Sequence, residues 1–554
     1  MKKIILPISL FFTLGASAQL FIDNAQFFID NGAVVTVQGD VTSNVDIQAA
    51  GTGKIRMGGL TATPQNLNMN GKTIPNLQID NSTAPVVLTG AMKVTTLLEF
   101  TNGKMQLGNN DFTLSAAANY SGAGAGKFAE TNGTGVFKKE LTAAGSTTLP
   151  VGNGSNYTPL GYTTAGGTYN ASTFVSARSV AAQHPNKHPR STDYLNNYWK
   201  LSNNIAGASI TAVGNYLNPA SVTGNQADIV SLLYNGSFWT KGTSQAATSV
   251  TAFAPANASQ DLYGMNKFIL VAPKVFLQGT FDAATGLMKD KLRNSTGVYT
   301  AGSLPASNIL PTTDPYRIAP YNVAFAQVAN SVAENLTSNA VLNDLANPND
   351  QIVDWVFVEL RNKTSNTVAA VVATRSVLVQ RDGDLVDIDG TSPVYFKNID
   401  STNNYVVSIR HRNHLGLSSN PANALSIGLK STTFDFTNTA NTSNFFGSAA
   451  NYTQAGAPAK VLLWSGNVYL NNLSNYLGLN TDRAQIITVM ANPGNSLTPS
   501  RNISTVSDYQ TYGIGDLNFD RKVEYLGLTP DRAFLLSTVM SSSPTNTRLQ
   551  ALPN

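Results

Sequence analysis

Residues 19 to about 126 consist of short apolar stretches that are interrupted, every few residues, by glycine beside asparagine or aspartate. Such pairs are turn signals, and the Val-, Ile-, Thr- and Phe-rich stretches between them are typical of β-strands. Near-repeats recur, with Phe-Ile-Asp-Asn at 21–24 and 28–31 and Gln-Ile-Asp-Asn at 78–81. Evenly punctuated strands predict stacked rungs, so we expect a β-solenoid or β-roll over residues 19–130. An ordinary twisted sandwich is the alternative, because the repeat is irregular.

The first eighteen residues have the three parts of a secretory signal peptide. Lys2 and Lys3 precede an apolar stretch from Ile4 to Leu14, and Ala16-Ser17-Ala18 supplies a small-residue cleavage pattern. The mature chain is therefore expected to begin at Gln19 and to be secreted, or held at a cell surface by partners. No later stretch has the roughly 18 consecutive apolar residues of a membrane-spanning helix, so no membrane span is predicted after signal removal.

Composition restricts the classes of site that this chain can form. The 554 residues include no cysteine, which excludes disulfides and cysteine-based zinc or redox sites. Charged residues make up 12% of the chain, against roughly 25% in an average protein. The net charge of +4 includes the two signal lysines, and no basic patch with interleaved aromatic residues occurs. Nucleic acid is therefore not a predicted partner.

Two further β-sandwich modules are predicted, at residues 131–272 and 273–430, which makes the chain an all-β multidomain protein. Trp199 lies in an alternating apolar stretch and is expected to anchor the first of these cores. The run from Ile352 to Leu360 is apolar enough to be buried on both faces. Ser331 and Glu334 have the spacing that caps a short helix.

Several of these segments resemble a known group of proteins. Leu149-Pro150-Val151-Gly152 and Tyr157-Thr158-Pro159-Leu160 resemble a module of exported surface proteins of the Bacteroidota, over roughly residues 70–270. The second half resembles haemagglutinin-like surface proteins of the same group, through the segments Phe276–Gly279, Ile352–Arg361, Gln380–Asp384 and Arg410–Gly416. The resemblance implies an exported surface protein with a role in adhesion.

Residues 431–554 contain an internal duplication with an offset of 49 residues. Tyr476-Leu-Gly-Leu-x-x-Asp-Arg-Ala484 recurs as Tyr525-Leu-Gly-Leu-x-x-Asp-Arg-Ala533. Short helices are predicted after each copy, at 484–490 and 533–540, and Thr529 with Pro530 predicts the N-cap and first residue of the second. Neither loop–helix unit can bury its apolar face alone, so we expect the two to pack together.

The second copy contains the most specific candidate for a metal site. Asp516, Asn518 and Asp520 supply side-chain oxygens at positions 1, 3 and 5, the Lys522 carbonyl follows at position 7, and Asp531 is a candidate closing acid. This pattern is typical of an oxygen-rich Ca²⁺ loop and resembles a dockerin repeat, which is half of an EF-hand.

The loop departs from the usual Ca²⁺ pattern at two points. Arg521 stands at position 6 where glycine is expected, and Asp531 falls at position 16 instead of 12, with Glu524 as a substitute ligand. The alternative is an Asn/Asp-rich turn in which Asp531 only favours the start of a helix. The first copy has too little negative charge to hold a divalent ion, and its corresponding residues are Asn467, Tyr469, Asn471 and Asp482.

Other polar clusters give weaker signals. The acidic residues of a predicted hairpin are expected to be solvated turn residues: Asp382, Asp384, Asp387 and Asp389. His184 and His188 each precede proline, which prevents a helical metal face, and His411 and His414 are expected at the surface or in hydrogen bonds. The segment 400–402 matches a short O-glycosylation pattern of these bacteria.

The sequence contains no Gly-x-Ser-x-Gly, His-Glu-x-x-His or phosphate-binding motif, so we do not expect an enzyme. The leading prediction is a secreted or cell-surface, non-catalytic, adhesin-like or structural protein that binds a surface glycan or protein. The alternative is a carbohydrate-binding or scaffolded component of an extracellular enzyme system that docks through its C-terminal repeats. A hydrolase remains a third hypothesis, because paired catalytic carboxylates are brought together only by folding.

Overall fold

The computed structural model describes residues 19–59, 62–400, 402–491, 512–526 and 530–553. The protein is mostly β, with 43% strand and 9% helix, which confirms the predicted all-β class. It divides into two compact units, one up to Lys267 and one from Phe268 onward. The predicted signal peptide lies outside the described residues. In the described parts of the chain, none of the helices is long and apolar enough to cross a membrane.

The first unit begins with a β-solenoid of about 6 turns, as the punctuated strands predict. Its strands, with those that follow directly, are β1 (Leu20–Ile22), β2 (Phe27–Ile29), β3 (Val34–Val37), β4 (Val41–Ser43), β5 (Ile47–Ala49), β6 (Lys54–Met57), β7 (Gln65–Asn68), β8 (Thr73–Asp80), β9 (Val86–Leu88), β10 (Met92–Asn102), β11 (Met105–Gln106), β12 (Phe112–Leu114), β13 (Asn119–Ser121), β14 (Ala129–Glu130), β15 (Phe137–Glu140), β16 (Gly145–Leu149), β17 (Val151–Asn153) and β18 (Asn156–Tyr157).

Successive turns stack in parallel, so that one strand of each turn joins the sheet β1-β4-β7-β9-β11-β14-β17. Leu20 lies beside Val41, and Val41 beside Leu67, so a turn spans 21 or 26 residues. On a second face, Ile55 pairs with Leu77 and Leu77 with Leu98, and all three are buried. Apolar residues at equivalent positions of neighbouring turns therefore form a continuous core.

Glycine is required at one close approach between turns. Gly103 has φ +76°, and a Cβ atom at this position would lie 1.9 Å from the carbonyl oxygen of Asn81. Only a residue without a side chain permits this contact at this φ.

The rest of the first unit is antiparallel. It comprises β19 (Leu160–Thr168), β20 (Phe174–Val180), β21 (Tyr194–Leu195), β22 (Tyr198–Asn203), β23 (Ala206–Asn215), β24 (Val222–Thr223), a 3₁₀ helix at Gln226–Asp228, β25 (Ile229–Tyr234), β26 (Trp239–Lys241), β27 (Ser244–Ala246), β28 (Ser249–Ala254) and β29 (Ser259–Asn266). The order β29-β22-β20-β15-β12-β10-β8-β6-β3 shows that one sheet continues from the solenoid into these strands.

A second sheet of five strands has the order β16-β19-β23-β28-β27. Trp199, on β22, is fully buried. Its indole N–H donates to the Thr158 carbonyl at 2.8 Å, and its ring lies against Gly214 on β23 of the second sheet. The expected burial of Trp199 in a core is confirmed.

The second unit contains β30 (Phe268–Lys274), β31 (Phe281–Asp282), β32 (Leu287–Met288), β33 (Ile352–Lys363), β34 (Ala369–Gln380), β35 (Leu385–Val386), β36 (Val394–Lys397), β37 (Thr402–His411), β38 (His414–Ser418), β39 (Leu425–Ile427), β40 (Thr432–Asp435), β41 (Tyr452–Ala455), β42 (Lys460–Leu463), β43 (Leu473–Asn475), α1 (Asp482–Ala491), α2 (Asp531–Phe534) and β44 (Thr547–Leu549). Short 3₁₀ helices lie at Pro315–Arg317, Tyr321–Val323, Asn339–Leu342, Pro348–Asp350, Pro421–Asn423, Thr439–Asn444 and Ala449–Asn451, and a π-helical turn at Leu535–Val539 extends α2.

The main sheet of this unit has the order β35-β34-β33-β37-β38, with β39 also on β37. Every residue from Ile352 to Arg361 is buried, which confirms that β33 is covered on both faces. Apolar residues of α1 and of the π-helical turn that extends α2, such as Ile486 and Leu535, belong to the same core as Trp355. The duplicated region therefore shares its core with the sheet.

Two local predictions are wrong in this unit. No helix follows Ser331, because Glu334 is instead buried in an ion pair with Arg375. Pro530 is the N-cap of α2, with extended ψ 146°, and not its first helical residue. Thr529 lies outside the described residues.

Candidate functional site

The two copies of the duplicated loop have the same backbone conformation. Leu470 and Phe519, which are 49 residues apart, have φ of 59° and 57°. Asn472 and Arg521, also 49 residues apart, have φ of 64° and 78°. Non-glycine residues rarely adopt this left-handed region, so its occurrence at equivalent positions shows that the two loops have one fold. Arg521 thus adopts the conformation for which a Ca²⁺ loop ordinarily uses glycine.

An aspartate at the start of each helix clamps the loop that precedes it. Asp531 accepts hydrogen bonds from the backbone N–H groups of Leu517 and Glu524, both at 2.7 Å. Asp482 accepts from the equivalent N–H groups of Val468 and Asn475, at 2.7 and 2.8 Å. Each carboxylate therefore ties two points of its loop to the N-terminus of its helix. The clamp explains why the duplication keeps these aspartates.

A second pair of contacts also recurs in both copies. The guanidinium of Arg483 lies over the ring of Tyr476 at 5.0 Å, and that of Arg532 lies over Tyr525 at 4.8 Å. These cation–π contacts hold the loop tip against the first turn of the helix. The Tyr…Asp-Arg spacing of the sequence motif thus corresponds to one structural unit.

The second loop brings its predicted ligands together. The buried Asp516 accepts from the N–H groups of Asp520 and Arg521, at 3.1 and 3.0 Å. The half-buried Asp520 accepts from the Asn518 side-chain amide and from the Lys522 N–H, both at 3.0 Å. The loop is thus wound around its acidic side chains.

Carboxyl groups are concentrated in this loop. Burial and the nearby charge of Asp520 raise the pKa of Asp516 to about 8, although Arg412 opposes the shift. Burial and the charge of Asp516 raise the pKa of Asp531 well above its usual value. Carboxylates that raise each other's pKa in this way are stabilised by a bound cation.

The first loop lacks this concentration of charge. Asn467 and Asn471 stand where the second copy has Asp516 and Asp520, and Tyr469 stands where it has Asn518. The side-chain oxygen of Asn467 is buried and has no hydrogen-bond partner among the described residues. Burial raises the pKa of Asp482 to about 7, against the effect of its backbone hydrogen bonds.

A buried ionic network fixes the second loop to the main sheet. Asp354, on β33, accepts from Arg412 Nε at 2.9 Å and from the Tyr512 hydroxyl at 2.6 Å. His411 lies 3.1 Å from the same carboxylate, and the Asn413 side-chain amide donates to the Asp516 carbonyl at 2.7 Å. The loop is therefore positioned by a sheet residue more than 150 positions earlier in the chain.

The structure corrects the expected environment of several polar residues. His411 and His414 are buried and lie 3.1 Å apart through their Nδ1 atoms, so the alternative of a surface location is wrong. Asp387 is also buried, and it accepts from Arg375 at 2.6 Å instead of standing in solvent. Ser401, in the short O-glycosylation pattern, lies outside the described residues.

Sequence reasoning missed the clamp and the Asp354 network. The sequence contained one indication of the clamp, because an aspartate occurs at this position in both copies, as Asp482 and Asp531, although only one loop is acidic. The sequence contained no indication of the Asp354 network, since this network joins residues that only the fold brings together.

The fit of this loop to Ca²⁺ depends on its donors. Asp516, Asn518, Asp520 and the Lys522 carbonyl are oxygen donors from one loop, which suits a hard cation. Both oxygens of Asp531 already accept backbone N–H groups, so its first role is structural. No group of three or more His, Asp or Glu side chains in the described ranges is arranged as a metal-ligand set. Ca²⁺ at this loop therefore stays a prediction.

Comparison with known proteins does not identify the chain. No protein family matches the sequence, and neither the curated proteins nor the solved structures include a significant match.

Proposed function

We propose that this protein is an exported, non-catalytic, adhesin-like structural protein of the haemagglutinin-like type found on Bacteroidota cells. The observation that supports this proposal is the β-solenoid whose sheet continues into the antiparallel strands β20, β22 and β29. Such a continuous sheet provides a rigid scaffold that can display binding surfaces at a distance from their anchor. Nucleic acid is not a partner in this proposal.

In this proposed protein, the modules around Trp199 and Trp355 are β-sandwiches and the duplicated region is dockerin-like. In the second loop, Asp516, Asn518, Asp520 and the Lys522 carbonyl hold one Ca²⁺, with Asp531 clamping the loop behind it. The cation offsets the buried charge of Asp516 and thereby stabilises the second unit. The role of Ca²⁺ is structural.

The test is export followed by binding. The full-length chain is expressed in an export-competent bacterial host, and the released protein is sequenced from its N-terminus and applied to erythrocytes. We expect a chain that begins at Gln19 and agglutinates the cells. A released chain that begins at Met1, or release of reducing sugar from glycan substrates, would contradict the proposal.

A second candidate function is docking to a partner protein through the duplicated region. Leu477 and Leu526, at equivalent positions of the two copies, are 45% and 51% exposed. In this second candidate function, the partner protein contacts both leucines, one on each copy of the duplicated loop. Capture of a defined partner by the full-length chain, lost in the double variant Leu477→Ser/Leu526→Ser, would favour docking over simple adhesion.

A further inference from the structure

The first unit carries a cleft of about 460 Å³ that is lined by both polar and apolar residues. Its floor is formed by β20, β22 and β29, on the face opposite the buried Trp199, and its walls are the segments 184–186 and 234–236. The polar part of its lining includes His184, Lys200, Ser202, Tyr234, Ser259 and Asp261. Its volume lies in the range that binds small ligands.

An ion pair lies on the floor of the cleft. Lys200 and Asp261 are direct cross-strand partners, and Lys200 Nζ lies 3.0 Å from one carboxylate oxygen and 3.3 Å from the other. The Lys200 side chain is 43% exposed and Asp261 is 14% exposed, so both reach the solvent of the cleft. Beside them, the hydroxyl of Ser259 donates to that of Ser202 at 3.1 Å.

His184 fixes the carboxylate in place. Its Nδ1 accepts from the Asn186 N–H at 3.1 Å, so the ring proton lies on Nε2, which donates to Asp261 at 3.0 Å. Although burial raises the pKa of Asp261, the hydrogen bonds from His184 and Lys200 outweigh it and hold this pKa below its usual value. Asp261 is therefore an ionised, oriented acceptor with lone pairs left for a ligand.

Aromatic rings support one wall of the cleft. His184 packs edge-on against Tyr198, Tyr234 and Trp239, with ring centroids 4.8 to 5.2 Å apart. Tyr234 also lies 5.0 Å from Trp239, and its hydroxyl donates to the Gly236 carbonyl. The half-buried Tyr234 ring is thus held rigidly at the rim of the cleft.

This combination of groups narrows the class of ligand. The carboxylate disfavours anions such as phosphate. A wholly apolar ligand is disfavoured because it would remove water from the Lys200–Asp261 ion pair without replacing the hydrogen bonds of that water. A peptide strand has no free edge here, because β20, β22 and β29 each pair with neighbours on both sides. A neutral sugar fits, since its vicinal hydroxyls both donate and accept and its ring has an apolar face that suits an aromatic wall.

We propose that this cleft binds a neutral saccharide, with Asp261 accepting from one hydroxyl, Lys200 donating to the adjacent hydroxyl, and Tyr234 contacting the apolar face of the ring. The proposal rests on the adhesive function and names the chemistry of its ligand. Among the described residues that line the cleft, Asp261 is the only carboxylate. Glycosidases use two, so binding and not hydrolysis follows.

The test uses saturation-transfer difference NMR with the full mature chain. Galactose, mannose, N-acetylglucosamine and lactose are the probes, each alone and in competition. We expect saturation of ring protons in at least one of them, with an affinity that falls at least tenfold in Lys200→Met. The matched control is Lys54→Met, which removes a similar ion pair, Lys54–Glu99 at 2.8 Å, in the solenoid.

Two results would overturn the inference: no saturation transfer to any of the four sugars, or undiminished affinity in Lys200→Met. Asp261→Asn serves as a second variant, and circular dichroism of both variants verifies that they fold. If none of the four sugars binds while the chain still agglutinates cells, the cleft is excluded as a saccharide site and the proposed adhesive function is retained. If sugars bind but the chain is neither exported nor adhesive, the proposed function fails instead.

Discussion

Asp482 and Asp531, separated by 49 residues, form the same pair of hydrogen bonds, each to one backbone N–H 14 residues before it and one 7 residues before it. The acidic loop and the neutral loop thus share one scaffold. What distinguishes the copies is the charge placed on that scaffold, at Asp516 and Asp520 against Asn467 and Asn471.

Removing either clamp is expected to destabilise the second unit. Asp531→Asn and Asp482→Asn each replace one acceptor oxygen with an N–H₂ donor, which leaves a buried backbone N–H without a partner. Such a loss costs about 1–3 kcal/mol. Urea unfolding of the full chain measures it. Asp282→Asn is the control: this half-buried residue ends β31, its carboxylate accepts one exposed hydrogen bond from the Ala284 N–H, and the variant should change stability little. Equal effects for all three variants would contradict the clamp.

The close stacking of the solenoid turns is tested by alanine substitutions at two glycines. Gly103→Ala places a Cβ atom against the Asn81 carbonyl, whereas Gly32→Ala, at nearly the same φ of +75°, meets nothing within 4 Å. Both variants suffer the cost of a left-handed alanine, about 1–2 kcal/mol. We expect Gly103→Ala to lower the melting temperature clearly more. Equal shifts would mean that the turns do not approach as closely as described.

The buried histidines are expected to make the second unit sensitive to acid. Burial lowers the pKa of His411, and burial with the charges of His411 and Arg412 lowers that of His414 well below its usual value. As pH falls below about 6.5, the unfolded chain takes up protons that the folded chain excludes, so the free energy of unfolding decreases. Each histidine contributes up to about 1.4 kcal/mol per pH unit.

The carboxyl groups with raised pKa act in the opposite direction. Asp482 and Asp516 gain protons in the folded state below about pH 7 and 8, which favours folding as pH falls. The histidine effect is therefore measured as a difference. Unfolding free energies of wild type and His414→Gln are compared from pH 7.5 to 5, and the variant should lose less stability on acidification. Parallel curves would contradict a neutral, buried His414.

The sequence was sufficient for the features that depend on local patterns. Alternating apolar residues and Asn-Gly turns predicted the solenoid, and the 49-residue repeat predicted α1. The partners of Asp354, Glu334 and Asp387 were not predictable, because each forms an ion pair with an arginine distant in sequence or on another strand. Solvated turns and buried ion pairs use the same residue types, and only packing distinguishes them.

The free energy of unfolding of the full chain, measured with calcium and with chelator, tests whether the second loop is a Ca²⁺ site. It also tests whether the first loop has lost this property. A weak extracellular site has a Kd of about 10⁻⁴ M, so about 1 mM Ca²⁺ should add about 1.4 kcal/mol. We predict that Asp520→Ala abolishes this increment while Asn471→Ala, at the equivalent position, leaves it unchanged. If wild type and Asp520→Ala respond identically to calcium, the loop is a structural turn and the account of the second unit is wrong.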